Sequence, residues 1–179
     1  MEHPSDIELV HKVKNGDRDA LELLFEKHYL SVYRLSYRWC GVRENAEDIT
    51  QDVFVKLVQK LHTFNQKASF RTWLYRITIN TAKDYHRKNT KKYTVESSFD
   101  DDNVQDNLKT QEDRIAAKQF YKMIHQLPDK QKESILLVFA EGLSHKDAAR
   151  VLNCMETTIS WRIFQARKTL KASMGNESK

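Results

Sequence analysis

The sequence predicts an all-α protein of two small helical domains joined by an acidic connector, and three observations carry that expectation. The 179 residues include only four glycines and two prolines, where average usage near 12 % would give roughly twenty. Sandwiches and barrels, with a turn after each short strand, need more of both. Apolar residues recur at intervals of three and four over long stretches, which is the period of a helix packed on one side. Charge is segregated as well. Residues 70–93 carry seven bases and one acid, Asp84, whereas residues 94–113 carry seven acids and one base, Lys109. The acidic stretch is poor in apolar residues and lacks a helical period, so it reads as a flexible linker. Domains are therefore expected at 1–92 and 115–179, with the linker at 93–114.

In the first domain, Leu21, Leu24, Phe25, Val32, Leu35 and Trp39 share one helical face, and Gly41 ends the run. Asn45 is placed to cap a second helix, with Glu47 and Asp48 in its first turn where the helix dipole favours anions. Its inward stripe is Ile49, Val53, Leu57 and Leu61, widened by Phe54 and Val58. A polar bend, Asn65-Gln66-Lys67-Ala68-Ser69, leads to a third helix from about Phe70 to Asn89. In the second domain one helix is expected from Ile115 to Leu127, stopped by Pro128, and another over Lys130–Glu141 with an apolar middle. Gly142-Leu143-Ser144 breaks that helix, and Ser144 can cap a short one holding Ala148, Ala149 and Leu152. Asn153-Cys154-Met155 then turn the chain into a basic helix over Glu156–Lys171.

That last pair has the form of a helix-turn-helix, since small residues at Ala148 and Ala149 allow two helices to cross closely. On the final helix Ile159, Ile163, Ala166 and Leu170 form the inward stripe. The remaining surface offers Thr157, Thr158, Ser160, Trp161, Arg162, Gln165, Arg167, Lys168 and Lys171, with no acid between Glu156 and Lys171. Short polar residues near the N-terminus reach base edges in a major groove and the cations hold phosphates. An ordinary α-hairpin with a solvated basic face would share much of this pattern. Trp161 and Phe164 fit a solvated face poorly, and inward packing of at least one is expected.

On the third helix, Trp73, Arg76, Asn80, Lys83 and Arg87 are spaced three, four, three and four, while Leu74, Ile77, Thr81 and Tyr85 form a stripe for the core. An aromatic, an amide and three cations in one row suit unstacked or melting DNA, because aromatic faces stack on exposed bases and cations follow the phosphates. Phe64 and the bend before Phe70 could form a pocket for an unstacked base. A solvated amphipathic helix with a half-buried tryptophan is the alternative. The second helix differs: Glu47, Asp48 and Asp52 lie beside Gln51, Val55 and Phe54. DNA would repel that surface, so it reads either as a protein-docking face or as a solvated acidic one.

Other classes find little support. The seven histidines are dispersed, and no HExxH, P-loop or glycine-rich phosphate turn occurs. Cys40 and Cys154 stand too far apart in sequence for a CxxC site. No catalytic residue, metal or cofactor is therefore expected. No apolar run approaches the roughly 18 residues of a membrane span, and Met1-Glu2-His3-Pro4 does not open a secretory signal. A cytoplasmic protein is expected. A stand-alone helix-turn-helix regulator remains a rival, although it would not need the Trp73 row.

Taken together, the segments resemble the sigma-70 family of bacterial transcription initiation factors, in particular its extracytoplasmic-function (ECF) group. The stretch from Ala46 to Phe54 is similar to the polymerase-binding segment of region 2. Phe70-Arg71-Thr72-Trp73-Leu74-Tyr75-Arg76-Ile77 with Asn80 and Asp84 resembles the segments that melt and read the −10 element. Leu127-Pro128-Asp129-Lys130-Gln131, the Gly142-Leu143-Ser144 break and Arg167-Lys168 resemble region 4, which reads the −35 element. The resemblance implies core polymerase docking through Asp48, Gln51, Asp52, Phe54 and Val55. It implies −10 contacts from Phe64, Lys67, Ser69, Arg71, Trp73, Arg76, Asn80, Lys83, Arg87 and Lys88, and −35 contacts from Thr157, Thr158, Ser160, Trp161, Arg162, Gln165 and Lys168. The acidic linker would lie in the RNA exit path. An anti-sigma factor, often membrane-anchored in this group, is the implied regulator, and no insertion of this chain itself into a membrane is implied. Ser160-Trp161-Arg162 stands where many members carry Lys-Ser-Arg, so the −35 preference is this chain's own.

Overall fold

The computed structural model describes residues 4–89 and 110–176, the side chains of 174–176 excepted, and of the expected linker at 93–114 only residues 110–114 are among them. The described residues form eight α-helices and short helical turns, without strands. Helix α1 (Asp6–Lys14) was not anticipated, although Ser5 and Glu8 spell a capping box: the Glu8 amide donates to Ser5 Oγ and the Ser5 amide to Glu8 Oε2 at 2.7 Å. Asp17 caps α2 (Arg18–Cys40), which ends at Gly41 with φ +74°. That left-handed residue donates its amide to the Tyr37 carbonyl, an ending suited to glycine.

Helix α3 (Arg43–Lys60) starts two residues before the expected Asn45 cap, from Val42, without a side-chain cap. Asn45 instead accepts a bond from the Tyr85 hydroxyl at 3.1 Å, so tertiary pairing outweighs a local preference. A turn at Leu61–Thr63 and a bend with Gln66 at φ +60° lead into α4 (Phe70–Asn89), whose bounds are those expected. Ser69 Oγ accepts the Thr72 amide at its start. Leu24, Val32, Leu35 and Trp39 of α2 meet Ile49, Val53 and Leu57 of α3 and Leu74 and Ile79 of α4 in one core. Full burial of each such side chain favours the fold by about 1.5–3 kcal/mol.

In the second domain, α5 (Gln111–His125) begins four residues before the expected Ile115, inside the acidic stretch. Thr110 caps it with Asp113, and Glu112 and Asp113 sit in the first turn, where the dipole holds anions. Helix α6 (Asp129–Ile135) does not run straight to Glu141: residues Leu136–Ala140 widen into π-type turns, with the Glu141 amide bonded to the Leu136 carbonyl and that of Leu143 to Leu137. Ser144 caps α7 (His145–Leu152), and Asn153 at φ +50° turns the chain into α8 (Glu156–Asn176). Ala148, Ala149, Ile159, Ile163 and Ala166 are buried at the crossing, as their spacing predicts. The two domains are packed together: α7 lies against α4 and the widened turn against α2. Among the described residues no helix is long and apolar enough to cross a membrane.

Candidate nucleic-acid interfaces and docking face

Helix α4 presents Arg76, Asn80, Lys83 and Arg87 to solvent, while Leu74, Ile77 and Thr81 are buried and Tyr85 is half-buried. Trp73 is half-buried, its ring 5.5 Å from those of Phe64 and Phe70. Phe64 is only 5 % exposed, so it backs Trp73 rather than standing open as a base-stacking surface. Lys14 Nζ donates to the Phe64 carbonyl at 3.0 Å, so α1 braces the bend. Lys67, Ser69 and Lys88 are exposed along the same flank, with Ser69 also serving as the α4 cap. A groove of about 290 Å³ runs beside Trp73, Arg76 and Asn80, and its far wall supplies Lys56 and Lys60 of α3. Sequence reasoning missed these two cations. Their spacing of four, continuing the stripe of Asp48 and Asp52 further along α3, was the available signal.

On α8, Thr157, Ser160, Trp161 and Lys168 are exposed, and Thr158, Arg162 and Gln165 are half-buried. Trp161 and Phe164 are 60 % and 64 % exposed, which overturns the expectation that one packs inward. The inward stripe is already filled by Ile159, Ile163 and Ala166, and neither aromatic lies on it. Arg162 Nη1 lies 3.8 Å from Cys154 Sγ at the turn, and the Ser160 hydroxyl meets His145 Nδ1 at 2.9 Å, tying the two helices of the motif together.

The acidic face of α3 differs from expectation at two positions. Asp48, Gln51, Asp52 and Val55 are exposed, but Phe54 is 8 % exposed, its ring 4.7 Å from Phe25 and 6.0 Å from Tyr29. Phe54 therefore supports the face from beneath. Val58, assigned to the inward stripe, is half exposed and adds an apolar neighbour to Val55. Tyr85 donates to Asp48 Oδ2 at 2.9 Å; burial, and then this bond to a carboxylate, push its phenol up to about 12.

Where the domains meet, acids of the second face cations of the first. Arg38 Nη1 donates to Glu141 Oε1 at 2.6 Å, Tyr75 donates its hydroxyl to Oε2 at 2.6 Å, and Arg71 Nη2 donates to the Glu141 carbonyl at 2.9 Å. Lys83 Nζ lies 3.0 Å from Glu133 Oε1, and Lys132 Nζ sits 4.0 Å from the centre of the Trp39 ring. Burial, the largest effect on Arg38, disfavours its charge, but Tyr121 and Glu141 outweigh it and its pKa rises. Burial pushes the Glu133 carboxyl up. His125, buried and bonded through Nε2 to the Arg38 carbonyl at 3.0 Å, is lowered to about 4 by burial. Burial also holds the Cys40 thiol up at about 12, which leaves it inert at neutral pH. Among the described residues, no group of three or more His, Cys, Asp or Glu is placed to hold a metal.

The family model described as sigma-70 region 2 matches residues 24–92, and that described as sigma-70, region 4 matches residues 117–170. The RNA polymerase sigma-H factor of Pseudomonas aeruginosa is 33 % identical, over 94 % of this chain and 93 % of its own length. The ECF RNA polymerase sigma-E factor of Haemophilus influenzae is 31 % identical over 95 % of each chain. Among solved structures, CnrH in complex with the cytosolic domain of CnrY shares the fold at a TM-score of 0.73 and 22 % identity, over 97 % of this chain and 99 % of that one. RpoE of Bartonella quintana, solved with the anti-sigma factor NepR, does so at 0.61 and 23 % identity, over 84 % and 94 %. The chain belongs to the sigma-70 family of transcription initiation factors. Within that family it is an ECF sigma factor, a two-region member that directs promoter-specific initiation of transcription.

Proposed function

We propose that this sigma factor docks on core polymerase through Asp48, Gln51, Asp52, Val55 and the adjoining Val58, opens and reads the −10 element with α4, and reads the −35 duplex with α8. The carrying observation is the row of Trp73, Arg76 and Asn80 along the α4 groove, where a stacking ring, a cation and an amide line one exposed face. Phe64 supports the ring, and Lys67, Arg71, Lys83, Arg87 and Lys88 follow the phosphates. The surface of α8 from Thr157 to Lys171, which carries no acid, supplies the second grip. Each grip is modest alone; held together by one polymerase, each raises the effective concentration of the other. The site of action is the bacterial cytoplasm. The anti-sigma factor NepR bound to RpoE in a solved structure of this fold supports control by an anti-sigma factor.

Run-off transcription with purified core enzyme on a promoter library tests the proposal. The expected result is a common start point downstream of one pair of elements, and core enzyme that starts no differently with the chain than without it refutes the reading. Tight duplex binding by the chain alone, in a gel shift without polymerase, would favour the stand-alone regulator instead. Replacing Arg162 and Lys168 together by alanine should remove two phosphate contacts and make the logarithmic salt dependence of −35 binding shallower by about 1.8. An unchanged salt slope would remove both residues from the interface.

A further inference from the structure

We propose that, with α8 in the −35 groove as read above, Trp161 and Phe164 select the element by seating the methyl groups of thymines in two consecutive base pairs. Thr157, Trp161, Phe164 and Lys168 follow one another at intervals of four, three and four, so they share one line along the helix. By the pitch of an α-helix that line lies nearly opposite Ile159, Ile163 and Ala166, the buried stripe. Helix α8 packs on α6 and α7, and the line itself is uncovered. Both rings stand with more than half of their surface in solvent. The charge around them suits an anionic partner: Arg162, Arg167, Lys168 and Lys171 flank the rings, and no acid occurs from Thr157 to Lys171.

A helix seated in the major groove turns its outermost line to the floor of base edges and its flanks to the phosphates. Two uncharged rings on that line gain nothing from phosphate. On the floor, the C5-methyl of thymine is the apolar group that the four base-pair patterns offer. Cytosine, adenine and guanine present donors or acceptors there, which a ring would strip of water without replacing the bond. Either strand can carry the thymine, since T·A and A·T pairs both expose the methyl in this groove. The spacing fixes the number of pairs. Three residues of helix rise about 4.5 Å, close to the ~3.4 Å between base pairs, so neighbouring rings meet neighbouring pairs. The adjoining hydroxyl is engaged within the motif: Ser160 Oγ lies 2.9 Å from His145 Nδ1 and 3.3 Å from the Glu156 carbonyl. Discrimination at these two positions therefore comes from apolar contact.

The test uses holoenzyme reconstituted from core polymerase and the full chain. Promoters with a randomised −35 region are selected for binding, and the thymines found are then replaced by uracil, which removes the methyl and keeps every hydrogen-bonding group. Two consecutive thymine-bearing pairs are expected. Affinity should fall about fourfold for one uracil and about fifteenfold for two, the value of burying one and two such groups. Trp161→Ala and Phe164→Ala should each abolish the uracil effect at one of the two pairs, and Trp161→Phe should keep most of it. Both side chains are exposed, so the variants should keep the helical content that circular dichroism reports. Equal affinity of the wild type for thymine and uracil promoters overturns the proposal, as does an unchanged uracil effect in both alanine variants. Loss of core-enzyme association by the variants, with thymine selection intact, would make the rings a protein contact and overturn it too. A −35 region left unprotected from DNase by wild-type holoenzyme would sink the functional reading itself, whereas protection indifferent to uracil sinks the thymine selection alone.

Discussion

Asp52→Lys should abolish association with core polymerase while leaving the chain folded. Asp52 is exposed on α3, next to Asp48 and Gln51 and one helical turn from Val55. The face of α3 that holds the bundle together is the opposite one, through Ile49, Val53 and Leu57, each fully buried. Reversing the charge therefore leaves the packing intact, and the Tyr85–Asp48 bond keeps α3 and α4 in register. At a complementary interface the new like-charge contact costs several kcal/mol; about 3 kcal/mol would weaken binding roughly 150-fold. Co-purification and fluorescence anisotropy with labelled chain measure the loss, and circular dichroism checks the fold. Retention at the wild-type level would discredit the acidic face as the docking surface.

Trp73→Ala should impair promoter opening far more than polymerase binding. The Trp73 ring rests on Phe64 and Phe70 at 5.5 Å, so one face is fixed by aromatic packing while the half-exposed side lines the groove with Arg76 and Asn80. A base stacked on such a ring contributes about 1–3 kcal/mol, so the open complex should fall by roughly 5- to 150-fold. Truncating a half-buried tryptophan also costs stability, about 2 kcal/mol from the range for buried aromatics. Trp73→Phe separates the two effects, because it keeps a stacking face and most of the packing and should restore most of the opening. Permanganate reactivity of unpaired thymines reports opening, and anisotropy reports polymerase binding. Equal loss of both would reject the stacking role.

The sequence by itself determined every helix but α1, and the two outward rows proposed to face DNA. Phe70–Asn89 carries a complete 3.6-residue pattern, so its bounds and its outward row are legible in the spacing alone. The same holds for Ser144 as a cap and for the Ile159, Ile163 and Ala166 stripe. These features depend on neighbours within one or two turns, and local spacing encodes them. Phe54 was placed both on the inward stripe and beside the acidic face, and Val58 on the inward stripe alone, because both border it; only the position of α2, with Phe25 and Tyr29 against Phe54, decides which is covered. Lys56 and Lys60 joined the groove of Trp73 only when α3 and α4 were set side by side. The pairing of Glu141 with Arg38 and Arg71 spans separations of 103 and 70 residues. Ion pairs at such range have no periodic signature; they arise when packed helices bring opposite charges out of water together, which only the tertiary structure decides.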